Sequence, residues 1–298
     1  MYPWEPPDAP ACSRRAAPRL DRTPTVKKDL MATTATAPST AVSTPAGIHH
    51  PWNLLSGFSL KWIAIVTMLI DHTAATLVWS YYLDLRQAFS PDAALWYDIY
   101  IWMRRIGRMA FPLFCFVLVE GFIHTHSRPK YALRLAIFGI VAEVPYDYAL
   151  HDAISWTSQL NIMFTLLLAF CALWLAEGVG THLKLPRWGT SLLAVGTIAG
   201  AAWLANGPLD VSYHAYGIVL IGVLYLARNH RFVQFLLGCA ATVWYCWEHD
   251  NSLQLYAAAG LACIALYNGK RGRGMKWFFY LFYPVHLAVL GLLNAWLF

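Results

Sequence analysis

The sequence predicts an all-α fold, a polytopic transmembrane helix bundle of about nine spans with its N-terminus in the cytoplasm. Composition is the first reason. Of 298 residues, 58% are hydrophobic and 13% charged, against roughly 45–50% and about 25% in soluble domains. Layout is the second. From Phe58 onward, apolar segments near 58–80, 106–123, 131–149, 160–177, 188–205, 214–227, 232–247, 253–267 and 276–297 alternate with short polar connections. Each is about 14–23 residues long, against the roughly 20 needed for a straight crossing. Charge placement is the third. With connections numbered alternately from the N-terminus, all 22 Lys and Arg except Arg86, Arg104, Arg105 and Arg108 fall on one side. Basic residues flank spans on the cytoplasmic side, so this asymmetry sets the orientation and accounts for the net charge of +6 without nucleic acid.

Taken in order, residues 1–55 are rich in Pro, Ala, Thr and Ser and carry no apolar run. Such a segment buries too little surface to offset its ordering entropy, so a disordered cytoplasmic leader is expected, with 56–298 forming the transmembrane domain. The leader lacks the apolar stretch of a secretory signal, and Met31 opens a less charged stretch as a candidate translation start. The polar and aromatic window 81–105 is expected on the membrane surface. Pro145 disfavours helix at Val144, which predicts a break in the third span. Cys115, Cys171, Cys239 and Cys263 lie inside apolar runs and Cys246 near the end of one. With no CxxC or Cys/His ligand spacing, neither a disulfide framework nor a metal site is expected.

Ionisable side chains inside spans cost at least about 2.5–3.5 kcal/mol each on insertion scales, which makes every one a candidate functional residue. Asp71 and His72 lie in the first span, LKWIAIVTMLIDHTAATLVW, roughly 20 Å along the helix from Phe58. The segment RRIGRMAFPLF opens the second span and sets Arg105 and Arg108 at i,i+3, near the depth of Asp71. An Asp–Arg pair between these spans keeps both charges inside most cheaply. Adjacent side chains diverge by about 100° on a helix, so Asp71 is expected to anchor Arg105 or Arg108 while His72 faces a cavity. In the last span, FFYLFYPVHLAVL, Tyr283 and His286 share a face, and Pro284 frees a backbone carbonyl. Glu143 and Asp147 share a face near the outer end of the third span. Gln159 and Asn161 open the fourth, either capping its helix or lining the same outer pocket. Glu120 lies at the cytoplasmic end of the second span, where it can reach water, and is assigned no role. His124, His126, Arg128, Lys130 and Arg134 form a basic cytoplasmic cluster that fits either positive-inside anchoring or phosphate binding. The Asp, Arg and His residues of the spans also fit a purely structural role, holding helices together.

The blocks LKWIAIVTMLIDH, RRIGRMAFPLFCFVLVEGFIHT, YALRLAIFGIVAEVPYD, NIMFTLLLAF and FFYLFYPVHL, in this order, resemble the TraX family. These are membrane proteins associated with N-terminal acetylation of F-type conjugative pilin, and they look like distant members of a wider group of transmembrane acyltransferases. The resemblance implies a multi-pass protein of the bacterial cytoplasmic (inner) membrane. It implies transfer of an acetyl group from cytoplasmic acetyl-CoA to an amine or hydroxyl at the outer side, on a pilin N-terminus or a surface glycan. In such chemistry His72 is expected as the base or a transiently acetylated carrier, with His286 as second candidate. Arg105 or Arg108 would polarise the acceptor or the developing oxyanion. Arg128, Lys130, Arg134 and the basic run at 270–276 would receive the donor's phosphates. Tyr283, Asn161 and Glu143 are expected to contact substrate. Two other readings compete: a proton-coupled transporter or permease, and a non-catalytic assembly factor. The two halves of the chain show no internal repeat, which weighs against transport.

Overall fold

Inside a bilayer every backbone N–H and C=O must be satisfied within its own segment, so long apolar runs become helices. Their ends are set by local signals. Ser56 Oγ accepts from Ser59 N at 3.1 Å and starts the first helix. Pro129 occupies the first turn of the third, where a missing N–H costs nothing. Asn161 caps the fourth, and Pro186 immediately precedes the fifth.

The computed structural model describes residues 54–151, 159–274 and 276–298, all within one compact unit, His49–Phe298. Of the expected leader 1–55, only Leu54 and Leu55 are described, and Met31 lies outside the described residues. Among the described residues, nine helical stretches follow one another. They are α1 (Gly57–Gln87), α2 (Ala93–His124), α3 (Arg128–Leu150), α4 (Ile162–His182), α5 (Arg187–Asn206), α6 (His214–Leu226), α7 (Arg231–His249), α8 (Ser252–Ala265) and α9 (Lys276–Leu297). A π-helical turn, Ala74–Val78, interrupts α1, and α2 bends at Arg108 and Met109. Among the described residues there are no strands, only two isolated bridges, Leu55 to Tyr267 and Leu160 to Val211. Among the described residues, five helices are long and apolar enough to cross a membrane: α1, α2, α4, α5 and the stretch Trp277–Leu297 of α9.

Two expectations change. The first two spans, expected at 58–80 and 106–123, are longer than that: α1 and α2 extend through the window 81–105 as a helical hairpin. At 31 residues, α1 is about 46 Å long, against a hydrocarbon layer of roughly 30 Å. An aromatic ladder holds the hairpin together: Trp79 on Tyr100 (4.9 Å), Tyr81 on Trp96 (4.7 Å) and Tyr82 on Tyr97 (5.3 Å). Nor does α3 break at Pro145; it runs unbroken to Leu150. Neighbouring helices and polar side chains let a transmembrane helix accommodate a proline that would end a soluble one.

Contacts between helix ends establish the alternation. Leu54 and Leu55 N–H both donate to Leu266 O at 3.0 Å, and Gly57 N donates to Lys270 O at 2.8 Å. The start of α1 therefore lies beside the α8–α9 connection. At the opposite end Leu160 N donates to Asp210 O (2.9 Å) and Ser212 N to Leu160 O (2.8 Å), joining the start of α4 to the start of α6. Outward-facing aromatics mark both ends of three helices: Trp188 and Trp203 on α5, Phe232 and Trp247 on α7, Trp277 and Trp296 on α9. These pairs are about 23–29 Å apart along their axes, close to the thickness that interfacial aromatic belts bracket. The short helix α6 is buried nearly all round, through Tyr216, Ile218, Leu220, Ile221 and Leu224, as expected of a helix apolar on every face. It packs on α2, α4, α5 and α7, while α9 packs on α3 and also touches α1. The polar residues of α1, α2, α3 and α9 thus meet in one region.

Candidate functional site

Asp71 and His72 leave α1 in different directions. Asp71, buried, turns to α2 and accepts from Arg108 Nη2 on both oxygens at 2.6 Å and from Arg104 Nη1 at 2.8 Å. Two guanidiniums against one carboxylate leave the cluster with net positive charge. Gly107 makes the approach possible, since a methyl group there would overlap the Asp71 side chain. Arg105 does not join the cluster, contrary to the expected i,i+3 face. Arg104 and Arg108, one full turn apart, share the face towards Asp71, while the Arg105 guanidinium lies over Trp102 (4.5 Å) and Tyr256 (5.2 Å).

His72 turns to α9 instead. Its Nδ1 lies 2.7 Å from His286 Nε2, and the two rings stack with centroids 5.0 Å apart. His286 Nδ1 lies 2.7 Å from the Phe282 carbonyl. A carbonyl only accepts, so Nδ1 of His286 carries the proton. In the neutral ring Nε2 then accepts, and the proton between the histidines belongs to His72 Nδ1. The relay leaves His72 Nε2 as a lone-pair acceptor. The π-turn begins two residues after His72, and Thr76 Oγ1 donates to the His72 carbonyl at 2.7 Å. Such turns recur at functional sites because they re-aim side chains without ending the helix. Tyr283, buried, faces both imidazoles at 6.2 and 5.8 Å between ring centroids, and its hydroxyl bonds the backbone of Ile162 at the start of α4.

Glu143 and Asn161 form the neighbouring wall. Asn161 is fully buried and fully used. Its Oδ1 accepts from Met163 N (2.9 Å), and its Nδ2 donates to Gly139 O (2.8 Å) and to Glu143 Oε2. Of the two roles open to Asn161, the structure gives it the cap. Glu143 Oε1 is buried with no hydrogen-bond partner among the described residues. Gln159 lies 3.1 Å from His214 Nε2 at the same end of the bundle. Tyr146 and Ser212 close the wall with a 3.0 Å hydroxyl pair.

The basic end differs from expectation at Arg128. Its guanidinium is paired with Glu177, which also accepts from the Tyr225 hydroxyl, and lies 4.4 Å from the Phe122 ring. That neutralised arginine is not a free phosphate ligand. Glu177, half-buried near the end of α4, was hidden in sequence by its apolar surroundings. Glu120 has partners too: Tyr267 Oη donates to it at 3.1 Å, and Arg231 lies 3.8 Å away. Lys130 is exposed. Arg134 bonds Tyr280 and faces Tyr131, and its Nε is unpartnered. On α9, Tyr280 lies about 9 Å, six residues, from His286. Arg104 and Glu177 are the residues of these clusters that sequence reasoning missed.

Comparison with known proteins gives a consistent result. The family described as TraX protein matches residues 56–294. A relative named probable fimbrial assembly protein FimC, serogroup H1, from Dichelobacter nodosus is 30% identical over 256 residues, covering 79% of this chain and 94% of that protein. Protein TraX of Escherichia coli is 31% identical over 248 residues, covering 78% of this chain and 85% of its own. No solved structure matches. From the IDH block that supplies Asp71 and His72 to the helix that carries His286, this membrane protein belongs to the TraX family.

Proposed function

We propose that the protein is a membrane-embedded acetyltransferase that moves an acetyl group from cytoplasmic acetyl-CoA to an amine or hydroxyl at the outer side. The acceptor would be a pilin N-terminus or a surface glycan, and the membrane the bacterial inner membrane, with the N-terminus cytoplasmic. One observation carries the reading: the Phe282–His286–His72 relay, which leaves a single oriented imidazole nitrogen ready to take a proton. Names of relatives support the substrate class, since one is a protein TraX and another a probable fimbrial assembly protein.

In this mechanism the donor's phosphates rest at the basic end, on Arg134, Lys130 and the run at 270–276 rather than on Arg128. The thioester reaches inward along α9 to the histidines. The acceptor N–H or O–H gives its proton to His72 Nε2 as its heteroatom bonds the thioester carbon. The C=O electron pair moves to oxygen, towards the positive cluster around Asp71. Collapse restores the C=O, breaks the C–S bond and returns the proton to the departing thiolate as CoA–SH. Glu143 Oε1, without a partner among the described residues, accepts a hydrogen bond from the second N–H of an amine acceptor. His72→Ala should abolish CoA release from acetyl-CoA plus acceptor while the detergent-purified protein remains monodisperse. Release at wild-type rate would exclude the relay as the base.

The name of the Dichelobacter relative favours a second reading, a fimbrial assembly factor without catalysis. Calorimetry separates the two, because only the enzyme binds acetyl-CoA.

A further inference from the structure

Tyr213 stands outside every motif that the sequence singles out. It occupies the turn between α5 and α6, where three non-glycine residues in five adopt left-handed backbone: Asp210 (φ 38°), Tyr213 (φ 62°) and His214 (φ 44°). For a bulky residue this conformation costs of order 1–3 kcal/mol and persists only where the surroundings over-determine it. They do so here. Thr165 Oγ1 donates to Ser212 O (2.6 Å), Ser212 Oγ to Leu160 O (2.9 Å), and Ala215 N to Asn206 Oδ1 (2.6 Å). Hydrogen bonds with α4, with α5 and with Leu160 just ahead of α4 therefore converge on holding one strained turn.

The strain aims the Tyr213 ring. It lies flat on Phe111, centroids 3.7 Å apart and planes 2° from parallel, and Phe111 follows Arg108 by three residues in the same block. Arg108, Asp71 and Arg104 are among the charged groups that act on the hydroxyl. Tyr283, which faces both histidines, and Tyr146 on the Glu143 wall also interact with it electrostatically. Tyr245, on α7, completes its charged and titratable surroundings. Tyr213 thus lies beside the positive cluster, stacked on a residue one helical turn from Arg108. Arg108 Nη2 and Arg104 Nη1 are tied to Asp71 by hydrogen bonds, and the Tyr213 hydroxyl adds a neutral donor beside this charged cluster.

We infer that Tyr213 is a further catalytic residue, its hydroxyl donating to the thioester carbonyl oxygen as that oxygen becomes an oxyanion beside the Asp71 cluster. The inference rests on the acetyltransferase reading. In the addition step the new N–C or O–C bond forms and the C=O pair moves to the oxygen held by the Tyr213 O–H. In collapse the pair returns, the C–S bond breaks, and Tyr213 keeps its own proton throughout.

Tyr213→Phe removes one oxygen and leaves the stack on Phe111 intact. Lost oxyanion donors cost about 10²–10³ in kcat, so a fall in kcat of about 100-fold is expected, with KM for acetyl-CoA and the affinity for CoA unchanged. A purely structural hydroxyl would not separate kcat from KM in this way. A kcat within two-fold of wild type would overturn the assignment. So would a Tyr213→Phe protein that melts early or fails to fold, since the hydroxyl would then be structural. Wild-type protein that neither binds acetyl-CoA nor releases CoA would sink the acetyltransferase reading itself, and this inference with it.

Discussion

Asp71 and His72 show how one turn of helix can serve two partners. Being neighbours, they point about 100° apart, so one carboxylate anchors α2 while one imidazole joins α9. Their removal should have different consequences. Asp71→Ala leaves Arg104 and Arg108 without a counter-charge, and breaking a buried pair from one side costs about 3–5 kcal/mol. Arg108→Ala leaves Asp71 still paired with Arg104. Thermal melting in detergent should therefore place Asp71→Ala well below Arg108→Ala, and equal losses would contradict the three-membered cluster. His286→Ala removes the acceptor that fixes the His72 tautomer. It should slow CoA release by about 10²-fold, at the lower end of what general-base catalysis contributes, with the melting temperature little changed. At this scale the sequence was legible where a charge had no business in a span: Asp71, His72, Arg108 and His286 all stood out from apolar neighbours. Arg104 did not, because choosing between residues 104 and 105 needs the helix phase at the bend after Gly107. Tyr213 was invisible, since tyrosine is at home in membrane interfaces and nothing in its sequence announces a left-handed backbone.

Among the elements, α2 is positioned by small residues. Gly107 admits Asp71, and Gly260 of α8 lets that helix's backbone meet Met109 O and Pro112 of α2. Gly196 and Gly200 on α5, by contrast, have nothing within 4 Å of the point where a methyl group would stand. Gly→Ala in an open helical site stabilises by roughly 0.5–1 kcal/mol. Gly196→Ala and Gly200→Ala should thus raise the melting temperature slightly, while Gly107→Ala lowers it and also impairs CoA release by displacing the Asp71–Arg108 pair. If Gly107→Ala behaved like Gly200→Ala, the close approach of α1 and α2 would be wrong. The helices themselves were readable from apolar run lengths. Their deviations were not. The π-turn after His72, the unbroken passage through Pro145 and the hairpin built from 81–105 all depend on neighbouring helices, which periodicity within one segment does not encode.

For the whole molecule, the consequence of alternating helices is a sidedness that function requires. The start of α1 and the α8–α9 connection share one end, and that end also carries Arg134, Lys184, Arg187, Arg228, Arg231, Lys270, Arg271 and Arg273. The other end holds the α1–α2 hairpin and the strained turn at Tyr213. If basic residues mark the cytoplasm, acetyl-CoA meets the end rich in lysine and arginine, while Phe298 and the hairpin tip at Phe89 face outward with the acceptor. Fusions to a reporter that fluoresces only in the cytoplasm and to a phosphatase active only outside it read this directly. Phosphatase fused after Phe298 or inserted at Phe89 should be active, and the fluorescent reporter inserted at Gly272 should be bright. An outward Gly272 with a cytoplasmic Phe298 would invert the molecule. The net positive Asp71 cluster and the open oxygen of Glu143 would then lie towards the cytoplasm, and the proposed acceptor could no longer be an extracytoplasmic pilin or glycan.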